Sequence, residues 1–224
     1  MKHLLAVVSC HTRPEFSDAI RNTWAPIVPT GIDLVFFKGR GNSLLLQDEV
    51  SLDCEDTKEG LPEKVRAIFL WALENKYDLV TKLDDDVVLD PKVFSKQDFS
   101  HEFMGSGKTP DGTKERLAMP YGFCYTLSKI AMQVIAAQPL PRNNSEYEHR
   151  HDHNDEYWVS WCLHRIGVYL RVNWLCSLWD GTDLYPELPG TFIFCVHMHH
   201  HLSRAEEVHE MCRIWRERLS GPNE

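Results

Sequence analysis

The stretch Leu79-Val80-Thr81-Lys82-Leu83-Asp84-Asp85-Asp86 constrains the fold more than any other part of the chain. A short apolar run bounded by polar residues reads as a buried strand. Its end then falls at the carboxyl edge of an open α/β sheet, where ligands bind. Three adjacent carboxylates repel one another unless a cation neutralises them. An oxygen-loving divalent ion such as Mg²⁺ or Mn²⁺ would do so, with phosphate oxygens as its remaining ligands. Asp-Asp-Asp alone is equally compatible with a solvated acidic turn. A calcium loop of the EF-hand kind is excluded, because neither the turn Gly nor the closing Glu is present.

The flanking sequence alternates between the two periodicities. Leu4–Val8 and Ile32–Phe37 read as further strands. Ala19, Ile20, Thr23 and Trp24 recur at helical spacing before Pro26. Pro62 opens a helix whose buried stripe is Val65, Ile68, Phe69 and Ala72. Lys64, near its start, points a cation to the ligand edge or to solvent. Arg21 by position alone is a surface cation. Gly39-Arg40-Gly41 lacks the third Gly of a dinucleotide fingerprint and reads as a flexible turn.

Past the acidic stretch, residues 98–116 read as a mobile polar loop, a possible lid. Tyr121–Leu127 is strand-like, and Ser128 caps a helix carrying Ile130, Ala131, Val134 and Ile135. His149, His151 and His153 alternate in a second polar loop; such a cluster can bind metal, but no regular element fixes it, and a solvated loop is the favoured reading. Asp155 and Glu156 open a helix with Val159, Cys162, Leu163 and Ile166 inside; two acids in a first turn are ordinary dipole partners. Val168–Leu178 is β-prone. Thr191–Met198 is a last strand, with His197 and His199 on one face, where a strand-end imidazole could meet a metal at the acidic loop. Ala205–Leu219 closes the chain as an amphipathic helix.

At 224 residues and 43% hydrophobic content, one α/β domain with a full core is expected. The net charge of −9 argues against a general nucleic-acid binder. Seven Cys, an odd number and without a CxxC pair, point to free thiols in a reducing compartment rather than to a zinc ribbon or redox centre. The apolar N-terminal run is short for a signal peptide and no segment suits a membrane span, so a cytoplasmic location is expected.

Read in order, the segments resemble the β-1,3-glycosyltransferases, the galactosyl-, N-acetylglucosaminyl- and Fringe-type transferases. Ile20-Arg21-Asn22-Thr23-Trp24 is similar to that family's IRxTW. Asp56-Thr57 with Leu61 and Lys64 is similar to DTYxNLTLK, and Lys82–Val87 matches KxDDDV. Tyr121–Ser128 resembles YxxGxGYxxS, and Asp155–Leu163 with Ile166-Gly167 resembles EDVYVGxCLxxLGI. Val196-His197 and the stretch Glu210–Trp215 resemble its C-terminal His and last helix. The chain departs from the pattern in three places. The Glu-Asp pair is Asp155-Glu156, Ser160 replaces a Gly, and Gly60-Leu61-Pro62 replaces NLT.

The resemblance implies a GT-A fold: a Rossmann-like, mainly parallel central sheet flanked by helices in one domain. Roughly 1–90 would bind nucleotide and 91–224 the acceptor. It implies a metal-dependent, inverting hexosyltransferase using a UDP-sugar, with Mn²⁺ or Mg²⁺ held by Asp86 and His197, or by His199. Arg21, Asp56 and Lys64 would lie near the nucleotide, Asp84 at its ribose and Asp85 at the sugar or metal shell. Glu156 would be the general base, with Asp155 as the alternative. The family's Golgi anchor and stem have no counterpart, which suggests a minimal member of bacterial or viral origin. A glycan or lipid-linked sugar is the first-ranked acceptor, a modified DNA base the second. A sugar-nucleotide hydrolase and a non-catalytic UDP-sugar-binding module are the competing classes.

Overall fold

The computed structural model describes residues 1–42, 44–108, 119–141, 154–172, 176–179, 195–198 and 203–216. Its first strand, β1 (His3–Val8), is buried along its whole length. Leu4, Ala6 and Val8 pack into one layer, Leu5 and Val7 into the other, so helices must cover both faces. α1 (Pro14–Asn22) follows, with proline in its first turn. β2 (Ile32–Lys38) and the short β3 (Glu49–Ser51) add on one side of β1. α2 (Leu61–Glu74) also starts on a proline turn and buries Val65, Ile68, Phe69 and Ala72, the stripe expected from sequence. β4 (Leu79–Asp84) then pairs with β1 on its other side, and Asp84 lies opposite Val8.

The remaining elements complete two sheets and two helical layers. β5 (Val87–Leu89) and the one-turn α3 (Pro91–Phe94) follow the acidic loop. β6 (Phe103–Lys108), β7 (Met119–Ser128), α4 (Lys129–Ala137) and α5 (Asp155–His164) come next. β8 (Arg171–Val172), β9 (Cys176–Trp179), β10 (Cys195–Met198) and α6 (Arg204–Ile214) end the chain's described elements. The large sheet has the order β3-β2-β1-β4-β7-β6-β8, and β5-β10-β9 forms a small one. In the large sheet only β7 runs against the rest. The sheet is therefore mixed but mostly parallel, and the chain is one α/β domain. α2, α4 and α5 bury apolar residues on one face; α1, α3 and α6 do so on the other.

Three local expectations change. Within the stretch read as a polar loop, Phe103–Lys108 is a strand, with Phe103 and Met104 buried. Gly105 hides it from periodicity, and its missing side chain lets Pro120 and Tyr125 approach: a Cβ there would lie 3.1 and 3.2 Å from them. Ile130 is 58% exposed, and Met132 takes its place inside α4. Ile166 lies beyond the end of α5 and is also exposed. By contrast, Ser128 caps α4 as its sequence position implies, accepting from the Ala131 N–H. Cys10, Cys54, Cys124, Cys162 and Cys212 are free thiols. The stretch with His149, His151 and His153 lies outside the described residues, as do His199 and residues 191–194 of the last strand expected from sequence. No described helix is long and apolar enough to cross a membrane.

Candidate active site

Parallel β1, β2 and β4 end on one edge, so their following loops meet there. Asp56 ties two of these loops together. One of its oxygens accepts from the Gly39 N–H and the other from the His11 N–H, both at 2.7 Å. Lys64 Nζ donates to the first of these oxygens and to the Ser9 carbonyl. Burial alone would raise the Asp56 carboxyl, but Lys64 and the two backbone donors bring it below the usual range. Lys64 is itself only 3% exposed, so this cation faces inward rather than solvent. Gly39-Arg40-Gly41 is a packed junction, not a loose turn. A Cβ on Gly39 would sit 2.7 Å from the Asp56 nitrogen, and one on Gly41 would sit 2.2 Å from the His11 ring.

The acidic loop is buried at this edge rather than solvated. Asp85 and Asp86 are 0% and 2% exposed. Arg13, from the loop after β1, donates to Asp85 Oδ1 at 2.8 Å. Burial still dominates and pushes the Asp85 carboxyl up to about 8, with Arg13 opposing and Asp86 and Asp84 adding to the rise. Asp85 Oδ2 is buried and meets no hydrogen-bond donor among the described residues. Trp24, the last residue of the IRNTW segment, is fully buried and donates from its indole N–H to the Val87 carbonyl at 3.1 Å. It thereby pins the backbone just past Asp86.

Across the edge stand the two acids of α5. β7 runs antiparallel to β4 and brings Gly122 and Tyr125 beside Lys82 and Asp84. Asp155 is buried and accepts the Tyr125 O–H at 2.6 Å. Glu156 is half-buried, and its carboxylate rests on Gly122, where a Cβ would stand 2.9 Å from Oε2. Burial, then the charge of Asp155, push the Glu156 carboxyl up to about 7.

The structure therefore gathers Asp56, Lys64, Asp84, Asp85, Asp86, Asp155 and Glu156 along one edge. Arg21 stands apart from them. It binds Asp18, Asp48 and Glu49, and it lines a separate cavity with Asp33 and Tyr77. His197 pairs through its backbone with Val87, the residue after Asp86. Among the described residues no three His, Cys, Asp or Glu side chains form a metal cluster. Sequence reasoning assigned no site role to Arg13, Lys82, Gly122 or Tyr125. Lys82 had one available signal: a lysine inside an otherwise apolar strand needs buried partners.

Similarity to solved structures follows this geometry. A glycosyltransferase involved in glycosylation of the major capsid of PBCV-1 aligns with a TM-score of 0.59 at 17% identity, over 94% of this chain and 98% of that one. The galactosyltransferase LgtC, solved with donor and acceptor sugar analogs, aligns at 0.52 and 12% identity, over 99% of this chain and 98% of that one. The fold is of the GT-A glycosyltransferase type. GlyE of Streptococcus pneumoniae TIGR4, another glycosyltransferase, aligns at 0.57 and 8% identity, over 99% of this chain and 66% of that one. No protein-family model and no curated protein matches the chain. The resemblance to β-1,3-glycosyltransferases accordingly rests on the sequence motifs.

Proposed function

We propose that the protein is a metal-dependent, inverting hexosyltransferase that moves a sugar from a UDP-sugar to an acceptor hydroxyl. The observation that carries this reading is the pairing, on one sheet edge of a GT-A fold, of a buried triple-aspartate loop with the acids Asp155 and Glu156. A solvated acidic turn would not bury Asp85 and Asp86. The buried carboxylates suit a hard divalent cation: Asp86, and an Asp85 oxygen without a donor; His197, whose backbone pairs with Val87 beside Asp86, is the further ligand in this reading. Mn²⁺ or Mg²⁺ bound there would supply charge to stabilise the departing diphosphate. Asp84 faces the nucleotide ribose in this reading, Arg13 orients Asp85, and the Asp56–Lys64 pair shapes the floor under the nucleotide.

Glu156 acts as general base. The acceptor oxygen forms a bond to the anomeric carbon while its proton passes to a Glu156 oxygen. The bond from the anomeric carbon to the diphosphate oxygen breaks, and its electron pair leaves with UDP. A single displacement inverts the anomeric centre. A base must be unprotonated to act, and Glu156 is pushed up to about 7. Turnover at saturating substrates should therefore fall about tenfold per pH unit below about pH 7 and level off above it. A flat profile from pH 5 to 8 would remove Glu156 from the role. The acceptor class ranked first is a glycan or lipid-linked sugar, since the charge of −9 disfavours a DNA acceptor.

The deciding experiment is a donor screen: purified protein, Mn²⁺ and a panel of UDP-sugars, with released UDP and adducts read by mass spectrometry. Free sugar without an adduct would mean a hydrolase, and UDP binding without turnover a binding module. In calorimetry, Asp86→Ala should lose the metal-dependent part of UDP binding; unchanged titrations would make the acidic loop structural only. Gly122→Ala should displace the Glu156 carboxylate, and a shift near 1 Å costs on the order of 10²-fold in turnover. Wild-type turnover in that variant would show that Glu156 does not need its observed position.

A further inference from the structure

Lys82 lies on the central strand, is 1% exposed, and reaches oxygens from three elements. Its Nζ donates to Asp84 Oδ1 at 2.6 Å, at the end of its own strand. It donates to the Gly122 carbonyl on β7 at 2.5 Å. It stands 3.6 Å from Asp155 Oδ2 on α5, the same oxygen that accepts the Tyr125 O–H. An ammonium has three N–H donors and no acceptor. Two of these oxygens accept hydrogen bonds from it, Asp155 is its close counter-ion, and Glu156 feels its charge through space.

We propose that Lys82 is a positioning residue: it links the donor-side Asp84 to the acceptor-side Asp155, engages Asp155 as its counter-ion, and so assigns proton exchange to Glu156. The proposal deepens the transferase reading and rests on it. One ammonium, held by two strands and a helix, sets the spacing of the acids on which donor and acceptor converge. Burial works against the Lys82 charge, but Asp155 and Asp84 hold it above the ordinary lysine range. The charged groups facing Glu156 are Asp155 on its own helix and Lys82 and Asp84 on β4, and the neutral Tyr125 hydroxyl on β7 is the remaining titratable group. The neighbouring α2 and α4 share an apolar core with α5 through Ile68, Phe69, Ala131 and Met132. The Glu156 carboxyl is thus raised by burial and by Asp155, with Lys82 moderating the rise.

The test needs no substrate. Protein labelled with ¹³C at glutamate carboxyls is titrated by NMR, and Glu156→Gln assigns the resonance. The wild-type midpoint should lie near 7. Lys82→Met should move it upward, because the moderating charge is gone, and Lys82→Arg should restore it in part. Asp155→Asn should move it down toward the ordinary glutamate range. If Lys82→Met fails to fold, the wild-type and Asp155→Asn titrations still decide. A wild-type Glu156 that titrates as an ordinary glutamate and ignores Asp155→Asn overturns the proposal. With a donor and acceptor in hand, the acidic limb of the kcat profile should follow the NMR midpoint in each folded variant. Turnover with an unmoved midpoint refutes the role of Lys82. The predicted midpoints without UDP release from any donor leave Lys82 in place and end the transferase reading instead.

Discussion

Glu156→Gln should lower single-turnover transfer by about two to four orders of magnitude, the range general acid–base groups supply, while UDP-sugar affinity stays unchanged. The amide keeps the carboxylate's shape and its seat against Gly122. It replaces the basic oxygen by an NH₂ group and removes the charge. The acids of α5 are reversed relative to the β-1,3-glycosyltransferase motif that the segment resembles, so the identity of the base turns on which side chain faces the cleft. Asp155 is buried and occupied by Tyr125, whereas Glu156 is partly open. Asp155→Asn should therefore be milder in transfer. A dead Asp155→Asn beside a near-normal Glu156→Gln would shift the register of the motif by one residue.

Asp56→Ala should be strongly destabilising. Asp56 is the only hydrogen-bonding partner described for Lys64 Nζ besides the Ser9 carbonyl. It also satisfies the N–H groups of His11 and Gly39. Truncation strands a buried ammonium and two inward-facing backbone donors. Removing one member of a buried ion pair costs about 3–5 kcal/mol. Urea unfolding should show the loss as a lower midpoint at unchanged slope. Lys64→Met should cost less, because two backbone donors still hold the carboxylate and no charge is left without a partner. Equal stability of Asp56→Ala and wild type would mean that the loops after β1 and β2 are held by other contacts.

The two changes separate chemistry from construction. Glu156 is exposed enough to exchange a proton, and its loss leaves the strands and loops as they are. Asp56 touches no reacting atom in the proposed reaction, yet the loops after β1 and β2 are both tied to it. A Glu156→Gln protein that melts early, or an Asp56→Ala protein that fails only in turnover, would contradict this division.

Periodicity alone determined β1, β2, β4, α2 and α4 well, because each presents a continuous apolar run or a helical stripe to a core covered on both faces. The adjacency of three aspartates after a buried strand left a cation site and a solvated acidic turn equally open, and the ordered motifs determined which residues to watch. What only the tertiary structure decided is who neutralises whom. Arg13 reaches Asp85 across 72 positions of chain, and Lys82 reaches Gly122 across 40. No local spacing encodes such contacts; they arise when parallel and antiparallel strands bring distant loops to one edge. Arg21 shows the converse: it lies in a motif-like segment, but its three acidic partners engage it away from the acidic loop. β6 was hidden for a related reason. Its Gly105 carries no hydrophobic signal, and its role is the space it leaves for Tyr125 and Pro120, which only packing reveals.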